Sequence, residues 1–220
     1  VKILIKYLLV LFFIISLFSC TIGRTARSKA GTLIPGQLSF LSESSVPTGI
    51  VPGNLIVSPD GKNVYVTNIF DNTISQYSRN TTTGQLFPLS PSTIAAGGEP
   101  YAIKISQDGA YIYVGNYLDS TISQYSRNES TGQLTAIDNI ATGSGPFALS
   151  ISRNGSNVYV VNSESDTISQ YSRNTNTGQL TATATIATGG RAGDIITTPD
   201  GKNVYVTNYD SNTLSQYLRQ

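Results

Sequence analysis

The sequence predicts an all-β fold, a β-propeller of about four four-stranded antiparallel blades. Three observations carry this. A tyrosine recurs at Tyr65, Tyr113, Tyr159 and Tyr205, at spacings of 48, 46 and 46 residues, within VYVTN, IYVGN, VYVVN and VYVTN. Each word is followed by TISQYSRN (73–80, 121–128, 167–174) or by TLSQYLRQ (213–220). The decapeptide PDGKNVYVTN at 59–68 returns unchanged at 199–208. A repeat of about 46 residues that reads as four short strands is the signature of a propeller blade.

Within each unit the first strand is LIVS, IKIS, LSIS or IITT, at 55–58, 103–106, 149–152 and 195–198. An Asp-Gly or Asn-Gly pair follows at residues 60–61, 108–109, 154–155 or 200–201. Such pairs adopt the positive φ angles of tight hairpins. The VYV segment is the second strand and TISQYS the third. A Gly-containing turn, NTTTG, NESTG or NTNTG, leads into the fourth, which opens on GQL. VYV is apolar or aromatic on both faces, as in a sheet packed between two others. One blade cannot bury both faces alone, so copies must stack.

A further PGQL stands at residues 35–38, ahead of the first complete unit, while the fourth unit ends on its third strand. GQLSFL (36–41) is therefore expected to complete the fourth blade and close the ring. The alternative is an open arc, or a fragment of a larger, for example seven-bladed, propeller.

Composition narrows function. Of 220 residues only 12% are charged, and the net charge is +1. This gives no electrostatic footprint for nucleic acid. The absence of His removes the commonest general base and a leading metal ligand. No metal site or cofactor is expected, and Ca²⁺ has no dense carboxylate motif to hold it.

The N-terminus reads as a processing segment. Lys2 and Lys6 precede the apolar run LLVLFFIISLF (8–18), too short to span a bilayer comfortably. Leu17-Phe18-Ser19-Cys20 resembles a bacterial lipobox, and Cys20 is the chain's single cysteine. The expected organisation is a lipoprotein signal peptide over 1–19. The lipidated Cys20 and a flexible tether follow over 20–34, and the propeller occupies 35–220. A lipid-anchored protein of the bacterial cell envelope follows from this reading.

Residues that repeat with the blade are read as scaffold. Asp60, Asp108 and Asp200 lie in hairpins. Asp71, Asp119, Asp166 and Asp210 lie in the loops between second and third strands, where Asp caps backbone groups. Arg79, Arg127 and Arg173 follow the third strands. Residues that break the repeat are better ligand candidates. Glu99 and Arg191 stand where other units carry Val51 and Gly145. Asp194 aligns with Asn54, Ala102 and Ala148. Lys104 aligns with Ile56, Ser150 and Ile196. These four are the candidate ligand-binding residues, and no catalytic residue is assigned.

The words YVTN, SPDG and TGQL resemble those of the YVTN-repeat propellers. These overlap with lactonase-like propellers, similar to bacterial 6-phosphogluconolactonase. The resemblance covers residues 36–220 and implies the blade type, in a family whose members usually have seven blades. Two functions follow as expectations. The first is a membrane-anchored extracytoplasmic binding module for a protein, glycan or matrix partner. The alternative is a lactonase-type hydrolase acting on a sugar or acyl lactone.

Overall fold

The computed structural model describes residues 36–41 and 45–220. Cys20, the apolar run and the tether lie outside the described residues. The chain divides into two compact units, residues 1–39 and 40–220. Of the first, residues 36–39 are described, an exposed turn and an extended stretch outside any strand.

The second unit is four consecutive antiparallel sheets. Blade 1 is β1 (Pro52–Val57), β2 (Asn63–Asn68), β3 (Thr73–Arg79) and β4 (Leu86–Ala95). Blade 2 is β5 (Pro100–Ile105), β6 (Tyr111–Asn116), β7 (Thr121–Arg127) and β8 (Leu134–Ala141). Blade 3 is β9 (Pro146–Ile151), β10 (Asn157–Asn162), β11 (Thr167–Arg173) and β12 (Leu180–Ala187). Blade 4 has three strands, β13 (Ala192–Thr197), β14 (Asn203–Asn208) and β15 (Thr213–Leu218). Strands pair in chain order, and the first strands of successive blades meet: β1 with β5, β5 with β9, β9 with β13.

The core lies between blades, as two-sided burial of VYV requires. Tyr65 and Ile74 of blade 1 pack on Ile103, Ile112, Val114 and Tyr125 of blade 2. Tyr113 and Ile122 then pack on Leu149, Val158, Val160 and Tyr171 of blade 3. Tyr159, Val161 and Ile168 pack on Ile195, Val204 and Val206 of blade 4. Each fully buried aliphatic side chain contributes about 1.5–3 kcal/mol relative to exposure.

The repeated polar letters have equally definite positions. The Asn ending each second strand donates to a Thr and a Ser of the third: Asn68 Nδ2 reaches Thr73 Oγ1 and Ser75 Oγ, both at 2.9 Å. Asn116, Asn162 and Asn208 repeat the pattern. The Gln of TISQ sits where the register of the third and fourth strands shifts. A bulge re-aims a side chain. Here Gln76 Oε1 accepts the Leu134 N–H and Gln124 Oε1 the Leu180 N–H, each at 2.8 Å in the next blade.

The expected closure by GQLSFL is corrected. None of residues 36–41 is in a strand, and β15 has no outer partner strand among the described residues. The arc is open. A repeated word fixes which residues begin a strand, but a strand exists only where its backbone groups find a ladder partner.

Candidate functional site

With the four strands of each blade lettered a to d in chain order, antiparallel pairing puts the a–b hairpins and c–d turns at one rim of the blades, and the b–c and d–a loops at the other. The hairpin rim is built for cohesion. Arg127 of blade 2 donates to Asp60 of blade 1 at 2.7 Å, to Asn63 Oδ1 at 2.7 Å and to the Gly109 carbonyl at 3.2 Å. Arg173 of blade 3 likewise reaches Asp108 at 3.1 Å and Tyr113 Oη at 2.7 Å. Burial alone would raise the Asp60 carboxyl. Hydrogen bonds from Ser58, Arg127 and the Lys62 N–H outweigh it and hold the group well below the usual carboxylate range. Burial pushes the Tyr65 and Tyr113 phenols up to about 12, against the neighbouring arginines. The cavity at this rim, about 350 Å³, is lined by Ile105, Gln107, Ile151, Ser152, Arg153 and Pro199, so it offers no carboxylate base.

The loop rim is where the blades differ. The residue before each first strand holds a left-handed backbone: Val51 (φ 54°), Glu99 (51°), Gly145 (68°) and Arg191 (52°). For the three non-glycines this costs about 1–2 kcal/mol each. The conformation is fixed by a carbonyl bond to the following b–c loop, such as Tyr117 N–H to Glu99 O at 2.9 Å and Tyr209 N–H to Arg191 O at 3.0 Å. Loop acids hold it from the other side. Asp71 accepts from the Ile50 N–H, Asp119 from the Gly98 N–H and Asp166 from the Arg191 N–H. Three of the four repeated loop aspartates are thus backbone caps. Asp210 instead faces Arg191, with 3.9 Å between Arg191 Nη1 and its Oδ1.

Between blades 2 and 3 this rim carries an aromatic stack and a tyrosine-bound carboxylate. Tyr101 and Phe147, the second residues of β5 and β9, stack with centroids 4.6 Å apart. Tyr117 Oη donates to Glu164 Oε1 at 3.1 Å. Glu164 leans over Gly145, where a Cβ would stand 2.8 Å from Glu164 Cγ and 3.1 Å from Tyr117 Cε2. Glycine at this position thus serves both the backbone angle and the approach of the acid. Leu118 is exposed beside Tyr117, and Phe70 and Tyr209 are exposed on the equivalent loops of blades 1 and 4.

The four sequence candidates are dispersed along the arc. Glu99 is half-buried, its N–H bonded to Asn72 Oδ1 at 2.9 Å. Lys104 is exposed on β5, opposite Tyr113. Arg191 is exposed, with its guanidinium 5.4 Å above the Tyr209 ring. Asp194 turns its Oδ1 to the Ile195 N–H at 2.8 Å. Among the described residues no hydrogen bond or ion pair joins any two of the four. Glu99 and Arg191 do belong to the loop rim; sequence reasoning missed Tyr101, Tyr117, Phe147 and Glu164 there. The same symmetry test would find three of them, since Tyr101 and Phe147 align with Gly53 and Gly193, and Glu164 with Phe70, Leu118 and Asp210, whereas Tyr117 matches Tyr209. Among the described residues no group of three or more acidic, His or Cys side chains could hold a metal ion.

This rim can stack a planar or ring-shaped ligand on aromatic faces, accept hydrogen bonds through carboxylates and offer a guanidinium to an anion. A family model described as "Lactonase, 7-bladed beta-propeller" matches residues 33–191. No curated protein matches the chain. Among solved structures, a Bacteroides fragilis protein provisionally described as a 6-phosphogluconolactonase is similar. It has 21% identity and a TM-score of 0.71, over 77% of this chain and 51% of that one. The periplasmic gluconolactonase of Pseudomonas aeruginosa gives 20% identity and 0.71, over 77% and 50%. A functionally unknown protein of Desulfotomaculum acetoxidans gives 18% and 0.69, over 79% and 56%. At these identities the likeness is one of fold, and the chain spans about half the length of these structures.

Proposed function

The chain belongs to the lactonase family of seven-bladed β-propellers, and from that premise we propose that its loop rim binds and hydrolyses a sugar lactone. The observation that carries this is Glu164, held by Tyr117 at 3.1 Å on the same rim as the Tyr101–Phe147 stack. An aromatic face suits the C–H face of a sugar ring. In the proposed reaction the Glu164 carboxylate takes a proton from water as its oxygen bonds to the lactone carbonyl carbon. The ring C–O bond then breaks, and the ring oxygen receives that proton, leaving the hydroxy acid. Arg191, at the next loop along, stabilises negative charge on the carbonyl oxygen or on a phosphate ester. The family match supports this reading over the binding-module expectation.

The proposal includes an extracytoplasmic location. The apolar run at 8–18 followed by Cys20 supports it, as does the periplasmic source of one similar fold. Lipidation at Cys20 is its proposed anchor, so Cys20→Ser should shift the protein from the membrane to the soluble fraction. Unchanged detergent partitioning would remove the anchor from the proposal.

The test of activity is hydrolysis of gluconolactone and its 6-phosphate by the full chain. Turnover is expected, with KM raised at least tenfold in Phe147→Ala. Absence of turnover on both, with the protein folded, would defeat the hydrolase reading.

A further inference from the structure

The four a–b hairpins share one shape but not one charge. Their words are SPDG (58–61), SQDG (106–109), SRNG (152–155) and TPDG (198–201). Blade 3 gains a cation, Arg153, where blades 1, 2 and 4 carry Pro59, Gln107 and Pro199. It also loses the hairpin carboxylate, with Asn154 in place of Asp60, Asp108 and Asp200. Both changes shift the charge in the same direction at one place, the hairpin of a blade that has neighbours on both sides.

These changes border the cavity of about 350 Å³ at the hairpin rim. Its apolar walls are the half-buried Ile105 and Ile151, the last residues of β5 and β9. Gln107, Ser152 and Arg153 supply its polar groups, and Pro199 of blade 4 completes the lining, which has no acidic side chain. Ser152 is already engaged: its Oγ donates to Asn154 Oδ1 at 2.7 Å and accepts from the Asn157 N–H at 3.0 Å. Gln107 and Arg153 are exposed.

Arg153 is held at one end. Its Nη1 donates to the Pro199 carbonyl at 2.7 Å, and no carboxylate pairs with it among the described residues. The edge of the guanidinium formed by Nε and Nη2 is left for a ligand. An anchored planar fork meets a carboxylate with two parallel bonds and loses less freedom in doing so than a loose side chain. Nearby charge adds to the attraction. Arg219 reaches Asn154 Oδ1 at 3.3 Å and Asn157 Oδ1 at 2.7 Å, where Arg127 and Arg173 meet the carboxylates of Asp60 and Asp108.

We propose that this cavity binds a short-chain aliphatic carboxylate. The carboxylate takes the open edge of the Arg153 guanidinium, with the Gln107 amide as a second donor, and the alkyl chain lies against Ile105 and Ile151. Apolar walls with a few convergent polar groups are the ordinary makeup of a small-ligand site. The site lies at the opposite rim from Glu164 and is independent of the lactone reading.

The test is a titration of the isotope-labelled full chain with sodium butyrate at constant ionic strength, followed by two-dimensional NMR. The Arg153 and Gln107 N–H signals should shift saturably, while that of Glu164 stays in place. Arg153→Gln removes the charge-assisted contact and should weaken binding by about tenfold or more. Because Arg153 is exposed, the rest of the variant's spectrum should match the parent's. Acetate, shorter by two methylenes, should bind about fivefold more weakly, and inorganic phosphate, with no alkyl chain, more weakly than butyrate. Absence of saturable shifts at the two residues would overturn the proposal. So would shifts that survive Arg153→Gln, or acetate or phosphate binding as tightly as butyrate.

Discussion

The two rims of the blades are made by the same strands and do opposite things. At the hairpin rim every unit repeats one arrangement, an Asp or Asn of one blade bound by the Arg of the next. At the loop rim the equivalent positions hold Val51, Glu99, Gly145 and Arg191 in one shared backbone conformation but with four different side chains. A repeat needs equivalent residues wherever blades touch. Where the backbone is fixed by its own caps, side chains are free to diverge, and there a ligand can be recognised. Blade cohesion and the proposed lactone site thus lie about one strand length apart.

That separation can be broken first at the hairpin rim. Arg127 is buried and holds Asp60, Asn63 and Gly109 at once. Removing one member of a buried ion pair costs about 3–5 kcal/mol. Because the Asp60 side chain is 31% exposed and can rehydrate, Arg127→Ala should cost about 2–4 kcal/mol, read from urea unfolding. A loss below 0.5 kcal/mol would mean the hairpin rim does not hold the blades together.

A smaller effect is expected where the two demands meet, at Gly145. Its left-handed backbone makes Gly145→Ala cost about 1–2 kcal/mol. The added Cβ also displaces Glu164, whose Cγ would lie 2.8 Å away. Both stability and turnover should fall. Unchanged turnover would separate Glu164 from the reaction.

At the hairpin rim the shifted groups make stability depend on pH at both ends of the range. The carboxyls of Asp60 and Asp108 titrate below their ordinary value of 3.8 in the folded chain. The unfolded chain therefore binds protons first. The stability these groups contribute is complete above that value and is lost as pH falls below it. Tyr65 and Tyr113, raised from 10 to about 12 when folded, set the alkaline limit: stability should decline as pH rises from 10 toward 12. Asp60→Asn should flatten the acid limb of a stability–pH curve, and an unaltered limb would contradict the assignment. Least of all, Arg191→Ala should move stability by under about 0.5 kcal/mol, since its 3.9 Å pair with Asp210 is exposed.

The blades were legible because their rules are local. VYV read as two-sided strands, Asp-Gly as hairpins, and the spacing as stacking, and β2, β6, β10 and β14 lie where those words stand. The purposes of Asn68 and Gln76 were not legible, since their partners lie on another strand or in another blade. Closure by GQLSFL failed as an inference for the same reason: the word names a strand opening but not the edge that receives it. At the loop rim, Glu99 and Arg191 broke the repeat visibly. Tyr101, Phe147 and Glu164 broke it too, but their significance depends on loops from different blades meeting, which periodicity does not encode.

The most direct measurement is of Glu164→Gln, in turnover and in stability together. The account predicts that kcat on gluconolactone or its 6-phosphate falls about 10²–10⁴-fold while the melting temperature stays within a degree or two of the parent. A variant that melts early, or one that melts normally and turns over like the parent, would contradict the claim that the loop rim carries the chemistry and the hairpin rim the stability.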